Sequence, residues 1–158
     1  MKFFVTSDNH FDHENIIKYC KRQFSSVEEM NEIMIKKWNE KVRKEDIVFH
    51  LGDFSFGSIE KIKEIREKLN GIIILLLGNH ESYKKMRNKG FILIRSSICI
   101  DNFILTHKPI PKNEIPEGFV NIHGHIHEKE SLYGINVSVD KTDYMPVELN
   151  ELKLMKKC

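Results

Sequence analysis

Short apolar runs alternate with polar stretches along the chain, and in five places an apolar run gives way to residues able to bind a metal. The plainest is Ile72 to Leu77, six aliphatic residues without polar alternation, fenced by Gly71 and Gly78. A strand of that composition is expected to be buried on both faces, as in the centre of a sheet covered on two sides. It leads directly into Gly78-Asn79-His80-Glu81. In the same way Asp8 and His10 follow Phe3 to Val5, Asp53 follows Ile47 to Leu51, His107 follows Phe103 to Leu105, and His125 and His127 follow Phe119 to Ile122. Ligands of open α/β sheets gather at the carboxyl ends of strands, so these five positions are where function is expected.

The segments between the runs read mostly as helices in the first half. Glu14 to Cys20 suits a short one. Ser26 with Glu29 is a capping-box signature, and Val27, Met30, Met34, Trp38 and Val42 recur behind it at helical spacing. Ser58 caps a third, with Ile59, Ile62, Ile65 and Leu69 on one face, and Asn70-Gly71 stops it. Strand, helices, strand, helix, strand is the order of parallel α/β units. After Glu81 the pattern changes. Ser82 to Lys89 is a basic, helical link, and Phe91 to Ile94, Ile98 to Ile100 and Phe103 to Leu105 follow as strands, the last two joined by the turn Asp101-Asn102. Lys108 to Gly118 carries three prolines and is a loop, Phe119 to Ile122 and Ile135 to Val139 are further strands, and Pro146 to Cys158 adds a short helix or a last strand. An α/β half and a strand-rich half predict two sheets packed on each other with helices outside, in a single domain over residues 1–158.

Composition narrows this picture only a little. With 158 residues and 41% hydrophobic residues the chain can fill one sizeable core. A formal net charge of +2 excludes a histone-like nucleic-acid binder and names no partner. Cys20, Cys99 and Cys158 are odd in number and lack C-x-x-C spacing, which argues against a disulfide framework or a thiolate zinc site and for a reducing cytoplasm. The N-terminal apolar run is too short for a secretory signal, and no run approaches the roughly 20 residues that span a bilayer. A cytoplasmic protein without a membrane partner is expected, with its oligomeric state open.

Asp8, His10, Asp53, Asn79, His107, His125 and His127 together offer carboxylate, amide and imidazole donors. That set is too rich for a four-coordinate structural zinc site and suits two divalent cations from Mn, Fe, Co, Ni or Zn. In Asp8-x-His10 and His125-x-His127, residues two apart on an extended segment would point the same way. Two dications held by two carboxylates leave a site of about +2, which calls for a hydroxide and a phosphate ester.

The series Asp8-x-His10, Gly52-Asp53, Gly78-Asn79-His80-Glu81, Thr106-His107 and Gly124-His125-Ile126-His127 resembles the calcineurin-like metallophosphoesterases, in the family's order, from residue 3 to about residue 139. The resemblance implies a four-layer α/β/β/α sandwich of two mixed sheets. It implies Asp8, His10 and His127 as ligands of one metal, Asn79, His107 and His125 as ligands of the other, and Asp53 as the bridge. His80 is similar to the family's histidine that stands near the substrate and the leaving oxygen. The implied reaction is metal-assisted hydrolysis of a phosphoester by a bridging water, with His80 donating a proton to the departing oxygen and manganese the favoured ion. No insertion is large enough to cap the site, and an open site admits the two arms of a diester, cyclic nucleotides included. The segment Ile135 to Asp140 departs from the family in lacking the Gly that often follows the Asn, which leaves open what that loop contributes.

Other readings stand beside this one. A nuclease acting on nucleic-acid ends is favoured if Lys84, Lys85, Arg87, Lys89 and Lys108 line the site. A scaffold of the same fold predicts missing ligands, and a metal store or sensor has no use for His80. His13 is either a substrate-binding or ligand-orienting group or a solvent-facing loop residue. His50 and His123 sit at strand ends one or two residues from ligands, where a buried histidine often hydrogen-bonds a ligand, and for both a structural role is the preferred reading.

Overall fold

The computed structural model describes residues 1–94 and 96–155, so Arg95 and the last three residues of the expected tail, 156–158, lie outside the described residues. Strand β1 (Phe3–Thr6) is followed by α1 (Glu14–Tyr19) and α2 (Val27–Lys41), β2 (Ile47–His50) by α3 (Ile59–Lys68), and β3 (Ile72–Leu76) by the single turn α4 (Tyr83–Met86) and β4 (Phe91–Ile94). These strands pair in parallel, β1 with β2, β2 with β3 and β3 with β4. The second half opens with an antiparallel hairpin, β5 (Ser97–Ile100) and β6 (Phe103–Thr106), to which β7 (Val120–His123) and β8 (Ile135–Asn136) add in parallel. The tail supplies both of the expected alternatives: β9 (Val147–Glu148) returns antiparallel to β1, and α5 (Leu149–Met155) follows it. The result is two mixed sheets, ordered β4-β3-β2-β1-β9 and β5-β6-β7-β8.

Local chemistry accounts for the helices. Ser26 Oγ accepts from Glu29 N at 3.1 Å and Ser58 Oγ from Lys61 N at 3.3 Å, satisfying donors that the first helical turn leaves unpaired. Behind these caps Met30, Met34, Trp38, Ile62, Ile65 and Leu69 bury one stripe of α2 and α3 against Phe4, Val48, Ile73 and Leu75 on the outer face of the first sheet. Alternate residues of the same strands, Val5, Phe49 and Leu76, turn to the other face and meet Phe103, Leu105 and Ile122 of the second sheet. Leu149 and Leu152 of α5 join that inner core.

Outside the second sheet the layer is thin. Asn121 is fully buried beneath the proline-rich loop, accepting from Ile110 N at 3.1 Å, and the loop contains one 3-10 turn, Lys112–Glu114. Three expectations are corrected. The basic link Ser82 to Lys89 is helical only over Tyr83–Met86. β3 is not buried along its whole length, because Ile72 is 46% exposed at the sheet's far end and Leu77 already lies beyond the strand. The strand expected to reach Val139 stops at Asn136. Val137 N still donates to His123 O, but Val139 N donates to Ser7 O, so the chain here crosses from the second sheet to the first. Among the described residues no helix is long and apolar enough to cross a membrane.

Candidate metal centre

The segments that follow β1, β2, β3, β6 and β7 leave the two sheets at a common edge. The first two are zipped together by backbone bonds from Asp8 N to Gly52 O, His10 N to Asp53 O and Phe11 N to Phe54 O, at 2.9 to 3.0 Å. Close approach of backbones is built into the glycines: a Cβ on Gly52 would lie 2.6 Å from Gly78 Cα and 2.8 Å from His107 Nδ1. Glu81 locks the same corner from below. Its carboxylate accepts from Asp53 N at 2.9 Å, from Gly78 N at 2.8 Å and from Phe54 N. Burial pushes the Glu81 carboxyl up to about 7, against the opposing pull of those backbone donors.

Two groups of donors result. Ligand atoms of Asp8, His10 and His127 lie within 4.8 Å of one another, and so do those of Asp53, His107 and His125. Asp53 stands between the groups, its Oδ2 3.6 Å from His10 Nε2 and 3.5 Å from His107 Nε2. Asn79 Oδ1 lies 2.7 Å from His107 Nε2. All seven residues singled out in the sequence are therefore brought together.

The hydrogen bonding shows that these groups fit cations. His107 Nδ1 donates to Leu51 O at 2.8 Å, so in the neutral ring the Nε2 lone pair faces Asn79 Oδ1 and Asp53 Oδ2. Three acceptors pointing at one another repel unless a cation lies among them. Among the described residues, Asp8 Oδ1 and both ring nitrogens of His10 are buried without any hydrogen-bond partner, a costly arrangement that a cation among them would relieve. Burial raises the Asp8 carboxyl, partly offset by His107 and His127, and lowers His10 to about 2, which keeps that ring neutral and available as a ligand.

Backbone conformation departs from the expected geometry. Asp8, His10, Asp53, His125 and His127 all have φ between 52° and 69°, so neither Asp8-x-His10 nor His125-x-His127 is an extended segment. The paired residues converge because each is turned back into the left-handed region, a conformation that costs on the order of 1–3 kcal/mol for a residue other than glycine and recurs at functional sites.

Several supporting residues carried no signal of their own in the sequence. His127 Nδ1 donates to Asp140 Oδ2 at 2.9 Å, and Asp140 also receives Arg22 Nε at 2.7 Å. Arg22, buried, donates in addition to the backbone oxygens of Asp8 and Asn9, both at 2.8 Å. Burial opposes the charges of both partners, yet their bond and its neighbours win: His127 is raised to about 10, and the bonds from His127 and Arg22 hold Asp140 at about 2. Asn136 Nδ2 donates to His127 O at 2.7 Å, so the loop that departs from the family pattern positions His127 through both its ring and its backbone. Cys20 lies within 4.8 Å of His127 and Asp140. His50 bonds Asn9, and His123 bonds Ser131 Oγ at 2.7 Å.

A cleft of about 480 Å³ opens over the centre, with His10, His80, His125 and His127 at its base, His13, Tyr19 and Phe56 on one side and Ile126, Glu128 and Lys129 on the other. His80 is 46% exposed there, its Nε2 3.9 Å from Asp53 Oδ2. His13 faces the cleft with its ring stacked on Phe56 at 4.1 Å. The basic run does not line this cleft. Lys84, Lys85, Arg87 and Lys89 line a separate groove.

The calcineurin-like phosphoesterase family model matches residues 1–157, and the chain belongs to that family of metal-dependent hydrolases of phosphoesters. It is 39% identical over 173 aligned positions to an uncharacterized protein, MJ1445, of Methanocaldococcus jannaschii, covering 99% of this chain and 92% of that one. Its fold is similar to that of a protein of unknown function, AQ665, from Aquifex aeolicus, with a TM-score of 0.79, 24% identity and 98% of each chain covered. It is also similar to the nuclease MPE of Pseudomonas putida, with a TM-score of 0.56, 18% identity, 79% of this chain and 61% of that one covered.

Proposed function

We propose that the protein, one domain over residues 1–158, hydrolyses phosphodiesters at a centre of two divalent cations. Asp8, His10 and His127 hold one ion, Asn79, His107 and His125 the other, and Asp53 serves both. The observation that carries this reading is the position of Asp53, whose Oδ2 lies 3.6 Å from a nitrogen of one donor group and 3.5 Å from a nitrogen of the other. When bound, the ions supply positive charge to the phosphoryl oxygens and lower the pKa of a water.

The chain's own groups do the rest. Asp140 and Arg22 fix the ring of His127, and Leu51 O fixes that of His107, so the donors are aimed before anything binds. His80 reaches into the cleft close to Asp53 without closing either donor group, which suits it to bond a phosphoryl oxygen and to pass a proton to the departing oxygen. A cleft of about 480 Å³ leaves room for two ester arms around one phosphorus. Manganese is the ion to add first, because carboxylate and amide oxygens accompany the imidazoles.

The test is one panel: metal-stripped protein given Mn, Ni, Zn or Mg and assayed on a monoester, a simple diester, cyclic nucleotides and single-stranded DNA. Diester hydrolysis restored by a transition-metal ion, with two ions bound per chain, is the expected result. His80→Ala should keep both ions and lose turnover by about 10²- to 10⁴-fold, whereas Asp53→Asn should lose metal as well. Unchanged turnover in His80→Ala would remove that residue from the reaction, and inactivity on every ester with every ion would leave a scaffold.

A further inference from the structure

Two features beside the centre, apart from His80 where the first of them ends, have no part in the reaction proposed above. The first is a row of rings along one side of the cleft. Tyr19 and His13 have centroids 6.2 Å apart, His13 and Phe56 are stacked at 4.1 Å, and Phe56 and His80 are 4.8 Å apart. A row that served only to fill the core would be closed off. This one opens to solvent, with Phe56 38% and Tyr19 69% exposed.

The second feature is the basic groove of about 440 Å³, lined by Ile59, Ser82, Lys84, Lys85, Arg87, Asn88 and Lys89. Two of its lining residues tie it to the cleft through short stretches of chain. Ile59 follows Phe56 by three positions and Ser82 follows His80 by two, no more than about 11 Å of chain. An aromatic platform at the reacting centre and a strip of cations leading away from it is the combination that holds unpaired nucleotides. Every base has a face to stack, and the backbone follows the charge whatever the sequence. A base inside a duplex has both faces covered by its neighbours and cannot lie on such a row, so duplex can offer it no more than the outer face of its end pair.

We propose that cleft and groove together form a track for the end of a single-stranded nucleic acid: the terminal base lies on the Tyr19, His13 and Phe56 row, and the phosphates beyond it run among Lys84, Lys85, Arg87 and Lys89. This rests on the phosphodiester reading above and names its substrate class.

The test measures binding apart from turnover, on metal-loaded protein with dye-labelled phosphorothioate oligothymidylates that resist cleavage. The octanucleotide should bind at least about tenfold more tightly than the dinucleotide. Replacing Lys84 and Arg87 together by Gln should flatten the dependence of log affinity on log salt by roughly 0.7 for each cation. Tyr19→Ala should weaken the oligonucleotide by about tenfold and an abasic chain of the same length much less. Equal affinity for dinucleotide and octanucleotide would overturn the track, as would a Tyr19→Ala variant that loses the abasic chain and the oligonucleotide alike. Binding in the expected pattern with no ester cleaved would keep the track and remove the hydrolase; small diesters cleaved without that pattern would remove the track alone.

Discussion

His50 illustrates how single residues in this fold act on the site without entering it. Fully buried, it receives Gly52 N–H on Nδ1 at 3.2 Å and donates from Nε2 to Asn9 Oδ1 at 2.9 Å, fixing the loops after β1 and β2 relative to each other. Burial, aided by the nearby His107, lowers its pKa from 6.5 to about 3 in the folded protein. Between those two values the unfolded chain binds the extra proton. The contribution of His50 to stability is therefore complete above pH 6.5 and is lost as the pH falls toward 3, with a slope of up to about 1.4 kcal/mol per pH unit. Urea unfolding of metal-free protein from pH 4 to pH 7 should show that slope reduced by about one proton in His50→Gln; an unreduced slope would mean that His50 is not the group that titrates. The residues singled out in the sequence were legible because each stands directly after an apolar run. Arg22 and Asp140 were not, because they lie 118 positions apart and only the fold brings their charges together. Glu81 stood inside a recognisable motif, yet its grip on three backbone donors is a property of the folded corner alone.

At the scale of elements, caps and helical spacing gave the first three helices within a residue or two, since those signals are local, whereas the link Ser82 to Lys89 is helical only over Tyr83–Met86. The strand ends were harder to read. Extended geometry was the expectation for the paired donors, and the left-handed residues found there are imposed by backbones packed against one another, something no dipeptide spacing reveals. Gly124 is where this packing is tightest, for a Cβ there would run into the side chains of Ser7 and Asp8. Gly124→Ala is therefore expected to move the loop that carries His125, whose N–H donates to Asp8 Oδ2 at 2.8 Å. The cost should be about 1–3 kcal/mol in denaturant unfolding, the range for an added methyl in a packed site. Bound metal measured on the same samples should fall with it. A variant that keeps its metal and its stability would show that the loop yields freely. The shortening of β8 has a similar origin: the chain must leave the second sheet at Asn136 to reach Ser7 on the first, a tertiary demand that overrides the β-branched pattern through Val139.

For the molecule as a whole, the consequence is that the proposed ligands come from both sheets. Asp8, His10, Asp53 and Asn79 extend from the first, and His107, His125 and His127 from the second. The sheets also share the apolar layer of Val5, Phe49, Leu76, Phe103, Leu105 and Ile122. At the site's edge, however, metal-free protein holds Asp8 Oδ1 and both nitrogens of His10 unpaired, and unfolding would return them to water. Cations that bind only the folded arrangement should therefore tie the sheets together. At a free ion concentration one hundred times the Kd, a single site adds about 2.7 kcal/mol, which raises Tm by roughly 5–10 °C for a chain of this size. Thermal unfolding of metal-stripped protein titrated with manganese measures this directly. His80→Ala should show the full rise because it leaves the donors intact, whereas Asp53→Asn should show much less of it because both donor groups lean on that carboxylate. An equal rise in wild type and Asp53→Asn would place the stabilising ions elsewhere on the surface and would separate the two sheets' association from the metal centre.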